Sequence, residues 1–167
     1  MVIHFQKTLL ESLNTIKFKE YHKFPINNQY ELRTLKNSDK IVGKYGEAKW
    51  KVVELLNEKL RHNFNLHNWL NQNKKDEVAY FLNEAGSNCL NYSEYKSPSH
   101  FHLWLGENGF ILGIEQKGKG FPAILINETR DKHNQGEAFN FFRNCQSKIF
   151  FNNPESTNIV FMEHKNV

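Results

Sequence analysis

The stretch Phe110–Phe121, F-I-L-G-I-E-Q-K-G-K-G-F, decides how the rest of the chain is read. An apolar run of strand length leads straight into Gly118 and Gly120, with Lys119 between them. Glycine has no Cβ, so it turns the chain at positive φ and lets backbone come close to whatever faces it. That neighbour is either a ligand or another part of the same fold, and the pattern serves both. Just upstream, Phe101–Leu105 alternates as F-H-L-W-L, and Gly106-Glu107-Asn108-Gly109 has the composition of a hairpin turn. A central antiparallel hairpin follows.

Working outward, Asp76 to Tyr92 reads as a long helix. Val78, Phe81, Leu82, Ala85 and Cys89 fall at helical spacing and predict one continuous buried face. At about 100° per residue, Glu84 and Asn88 border that face, and as i, i+4 neighbours their side chains can converge on one ligand. Gly46 to His62 is a second helix, with Trp50, Val53, Leu56 and Leu60 on one stripe that Val52 and Leu55 broaden. Nearer the N-terminus, Leu9, Leu10, Leu13 and Ile16 suit a short amphipathic helix within Phe5 to Phe18, and Pro25 ends it. Tyr30–Leu35 alternates as a half-buried strand. On the C-terminal side, residues 128–137 read as a polar loop and Ala138–Asn144 as a helix. A closing hairpin is expected from Lys148–Asn152 and Asn158–Glu163. The order predicts an α+β fold: a two-layer sandwich, mainly antiparallel sheet with helices on one face, in a single domain over residues 1–167 with 1–23 as an N-terminal extension.

Composition narrows the function. Hydrophobic residues make up 39% and aromatics 14%, enough for a packed interior. The charge of +4 and pI near 9.0 come from 22 basic residues against 18 acidic ones, spread along the chain. A nucleic-acid partner normally shows as a clustered basic patch, so none is expected. No apolar run approaches the ~18 residues of a membrane span, and Met1–Asn14 lacks the pattern of a signal peptide. A cytosolic protein is expected. Cys89 and Cys145 are far apart and outside any C-x-x-C, which reads as two reduced thiols. The eight histidines show no zinc spacing; His100 and His102 share one strand face, a pairing that most often sits on a plain surface. No G-x-S-x-G signature points to acyl transfer.

Three segments follow one another in the order that a nucleotide site needs. They are Glu84-x-x-x-Asn88 on a helix, Gln116-x-Gly118-x-Gly120 after a strand, and Gly136-x-Ala138 opening a helix. Oxygen ligands are what Mg²⁺ takes, and a helix N-terminus favours an anion. In this arrangement the chain resembles the GHKL ATP-binding fold of histidine kinases and gyrase-type ATPases, and looks most like stand-alone bacterial anti-sigma-factor serine kinases. Asn83–Tyr92 resembles the N box, Ile111–Phe121 the strand ending in D-x-G-x-G-F, Gln135–Phe142 the G-x-G-L helix start, and Ser156–Phe161 the last-strand G-T-x-V-x-L. The likeness covers about residues 24–164. It implies ATP and Mg²⁺ as cofactors, Glu84 as the general base, Asn88 on the metal, Gln116, Gly118 and Gly120 around the base, and Gly136 near the phosphates under a lid at 128–137. It also implies a regulatory protein as partner, which the chain would bind and phosphorylate, and a homodimer is compatible with that role. The chain departs from the family where Gln116 replaces an aspartate, Ala138 a glycine and Tyr92 a histidine. A non-catalytic relative acting by protein–protein binding alone is the alternative reading.

Overall fold

A computed structural model of the chain describes residues 3–28, 38–60, 63–66, 76–95, 97–133 and 137–165. Among these, six strands and five helices occur: β1 (Ile3–His4), α1 (Leu9–Ile16), β2 (Phe18–Pro25), α2 (Ser38–Leu60), α3, β3 (His100–Gly106), β4 (Gly109–Glu115), α4 (Ala123–His133), α5 (Glu137–Asn144), β5 (Lys148–Phe151) and β6 (Ile159–Lys165). Helix α3 consists of three consecutive pieces, Glu77–Tyr80, Phe81–Ala85 and Gly86–Leu90. The strands form one sheet in the order β1-β5-β6-β4-β3-β2, antiparallel except where β1 pairs with β5.

The expected hairpin is the sheet's centre, with Leu103 opposite Leu112 and Phe101 opposite Ile114. Because side chains alternate along a strand, Phe101, Leu103, Leu105, Phe110, Leu112 and Ile114 all turn to one face and join the main core. Val52, Val53 and Leu56 of α2, Phe81 and Leu82 of α3, and Phe139 and Phe142 of α5 cover that face. The two-layer α+β sandwich is thereby formed. Trp50 stands at the border of its helix stripe, 38% exposed, since the buried centre runs through Ala48, Val52 and Leu56.

The N-terminal extension completes the sheet. Thr8 caps α1, its Oγ1 accepting from Glu11 N at 3.2 Å, and Lys17 ends it at a φ of 55°. Ile16 then packs with Trp104, Ile111, Phe150 and Phe161 on the face opposite the other helices. The chain continues into β2, an edge strand registered on β3 with Tyr21 opposite Trp104 and Phe24 opposite Phe101. A strand at Phe18–Pro25 was not expected from its polar sequence. The strand expected at 30–35 falls within 29–37, outside the described residues. The segment expected as a loop at 128–137 is helical through His133, and Gly136 lies outside the described residues. No helix among the described residues is long and apolar enough to cross a membrane.

Candidate functional site

Helix α3 presents Glu84 and Asn88. Its core residues Val78, Phe81, Leu82, Ala85 and Cys89 are all buried, as their spacing predicts. Its middle, however, is a π turn over Phe81–Ala85, in which the Gly86 N–H bonds back to Phe81 O. The wider turn brings Gly86 and Leu90 into the core as well. Ile114 of β4 occupies the space that any side chain on Gly86 would need. Single π turns inside α-helices occur frequently at functional positions.

On the outer side of this turn, Asn88 Nδ2 donates to Glu84 Oε2 at 3.1 Å. The two side chains that the sequence places at i, i+4 thus bond to each other. Helix α2 adds two neighbours that no local spacing announces. Tyr45 Oη donates to Leu82 O at 2.6 Å, a carbonyl of the π turn. Lys49 Nζ donates to Asn83 Oδ1 at 3.0 Å and sits 4.3 Å from the centre of the Tyr45 ring. Burial lowers the Lys49 pKa, while the negative charge of Glu84 works the other way. Burial raises the Tyr45 pKa, opposed by a hydrogen bond with Ser87. The cluster is a half-buried carboxylate and amide beside a desolvated ammonium, a set able to hold a cation by oxygen and an anion by nitrogen.

Strand β4 ends at the second part of the site. Alternation from Ile114 places Gln116 on the helix-covered face. Its backbone N–H donates to Asn158 O at 2.8 Å. The side chain is 1% exposed, and neither Oε1 nor Nε2 has a hydrogen-bond partner. Gly118 then turns the chain at a φ of 93°. Glu94 Oε2 and the Tyr95 ring stand where a Gly118 side chain would go, and the Ser156 backbone stands against Gly120. Lys119 N donates to Glu94 Oε2 at 3.0 Å, and Asn158 Nδ2 donates to Gly118 O at 3.2 Å. The close approach that the glycines permit is therefore made, at least in part, to the protein itself.

The helix and the glycine turn meet. Gly86 packs on Ile114, Glu94 holds Lys119, and the rings of Tyr92 and Phe121 lie 6.4 Å apart. Glu84 and Asn88 on one side, and Gln116, Gly118 and Gly120 on the other, thus flank one helix–strand junction. A groove of about 590 Å³ reaches this turn at Lys117 and is otherwise lined by residues that include Ile26, Asn27, Lys44 and Lys51; none of the five site residues lines it.

Asn88 Oδ1 and Glu84 Oε1 are of the oxygen type that Mg²⁺ prefers. No group of three His, Cys, Asp or Glu among the described residues could hold a metal ion by itself. Both cysteines are free and buried; burial raises the Cys89 thiol and pushes Cys145 up to about 12, so neither forms a thiolate nucleophile. A scan against protein-family models finds no match for the chain, and a search of curated proteins finds none either.

Proposed function

We propose that the chain is an ATP-binding regulatory protein of the GHKL type, similar to anti-sigma-factor serine kinases, that binds a protein partner and phosphorylates it. The observation that carries this reading is Gln116: a buried amide with both polar atoms unpartnered at the end of the strand that leads into the glycine turn. Buried polar groups are nearly always hydrogen-bonded, and each one left unmade costs about 1–3 kcal/mol. An adenine edge offers an amino donor and a ring-nitrogen acceptor, a pairing that a planar amide matches in bidentate fashion. Across the junction, Asn88 would hold Mg²⁺ through its amide oxygen, and the ion would offset the charge of the phosphates. Glu84 would accept the proton of the attacking hydroxyl, with the Lys49 ammonium in its neighbourhood.

Calorimetry with Mg-ATP tests the reading. Binding is expected in the wild type, weakened at least about tenfold by Gln116→Ala through loss of the amide pairing. Asn88→Ala should weaken it by removing the Mg²⁺ ligand. No heat with the wild type, or equal heats for wild type and Asn88→Ala, sinks it.

The packing of Glu94, Tyr95 and Ser156 against Gly118 and Gly120 favours a second reading, in which the same fold acts only by protein–protein binding. That reading expects Gln116→Asp to leave ATP binding absent. Tight binding in that single variant would count against it.

A further inference from the structure

On the sheet face away from α2, α3 and α5, three side chains form a chain of short hydrogen bonds. Tyr21 Oη lies 2.6 Å from His102 Nδ1, and His102 Nε2 lies 2.7 Å from Glu115 Oε1. A carboxylate only accepts, so the neutral His102 ring that fits these partners carries its proton on Nε2 and turns the Nδ1 lone pair to the phenol. A hydroxyl, a base in reach of its proton and a third group orienting the base make the arrangement of an activated nucleophile. The Tyr21 ring is held by stacking on Trp104 (5.2 Å between centres) and His102 (5.9 Å), yet the residue is 43% exposed. Burial and the Glu115 charge raise the phenol's pKa, so it stays protonated and needs a base. Lys23 lies two residues along the same face, and its charge is felt at neighbouring His100. Lys117 Nζ sits 4.0 Å from Glu115 Oε2. Cations at this edge suit an anionic donor, since transferring phosphoryl groups are stabilised by lysine and arginine.

We propose that Tyr21 is a phosphoryl acceptor activated by His102, taking its phosphoryl group from a small acyl phosphate. Tyr21 Oη forms a bond to phosphorus as the P–O bond to the leaving carboxylate breaks, and the phenol proton passes to His102 Nδ1. O-phosphotyrosine, a free carboxylate and an imidazolium result, the imidazolium held by Glu115 as the positioning residue. The site is on the opposite sheet face from Gln116 and does not draw on the nucleotide reading.

The full chain incubated with acetyl phosphate, followed by peptide mass spectrometry, tests this. Tyr92, 36% exposed, is the internal control for accessibility. Tyr21 is expected to gain phosphate at least about tenfold faster than Tyr92, because a positioned base contributes that much or more. His102→Phe should bring Tyr21 down to the Tyr92 rate. Glu115→Gln should slow it severalfold and move the His102 ring-nitrogen NMR signals away from the single Nε2–H tautomer. Tyr21 no faster than Tyr92, acetylation in place of phosphorylation, or an unchanged rate ratio in a folded His102→Phe variant overturns the proposal. If that variant does not fold, the wild-type ratio and Glu115→Gln decide it.

Discussion

The two faces of the sheet are held by different physics. The face under α2, α3 and α5 is apolar throughout the hairpin, from Phe101 to Ile114, with Gln116 at its end and His164, bonded to Ser147, beside Phe110. The opposite face mixes Ile111, Trp104 and Phe161 with buried or half-buried polar groups: His102, Glu115, and Glu163 under α1. Glu163 accepts from Ser12 Oγ at 2.5 Å and lies 3.4 Å from Lys7 and 3.7 Å from Lys148. One face gains by removing apolar surface from water, which is roughly proportional to area and tolerant of direction. The other is pinned by directional bonds, each of which fails if a single partner is lost. The two chemically unusual places, Gln116 and the Tyr21 chain, therefore lie on opposite faces of the sheet.

The comparison predicts where stability is lost most. Phe142→Ala removes a fully buried ring packed on Phe81, Phe139 and Phe151, and should cost about 3–5 kcal/mol in urea unfolding. Glu163→Gln keeps an acceptor for Ser12 but removes the charge facing two lysines. Their side chains are 12% and 37% exposed and can turn to water, so the loss should be about 1–2 kcal/mol, below the full cost of breaking a buried pair. A larger loss for Glu163→Gln than for Phe142→Ala would reverse the assignment of the two faces.

The apolar face was legible in the sequence because burial writes a period. The hairpin F-H-L-W-L / F-I-L-G-I-E, the stripe Val78 to Cys89 and the closing strands β5 and β6 all follow that signal. β2 was not legible: F-K-E-Y-H-K-F-P is an edge strand with no buried residue, held by backbone pairing to β3. Nor was α4, where E-T-R-D-K-H continues a helix in which Ala123 is buried while Leu125, Glu128 and Thr129 are exposed. In the candidate site, Glu84 and Asn88 were readable because i, i+4 is a local relation. Lys49, Tyr45 and Glu94 were not, since they reach it from other segments. The π turn left no mark in the pattern, because its extra residue only adds Gly86 and Leu90 to a face already apolar. Tyr21 and His102 lie 81 residues apart and meet only once β2 is placed.

The smallest effect expected separates the faces by pH. Burial, aided by Lys23, lowers the His100 pKa from 6.5, and the hydrogen bond from His102 lowers the Glu115 pKa from 4.5. In both cases the unfolded chain binds a proton that the native state resists, so stability falls as pH falls. The His100 contribution begins to be lost below 6.5 and the Glu115 contribution below 4.5. Groups facing this edge are Lys23, Lys117, His102 and Tyr21, and all belong to the face away from the helix layer. Urea midpoints measured from pH 7 to pH 4 should therefore decline in the wild type. His100→Gln should flatten the upper part of that decline, and Glu115→Gln the lower part. Phe142→Ala should shift the whole curve down without changing its slope, because an apolar side chain binds no proton. A changed slope in Phe142→Ala, or an unchanged one in both His100→Gln and Glu115→Gln, would place the acid-sensitive groups on the wrong face.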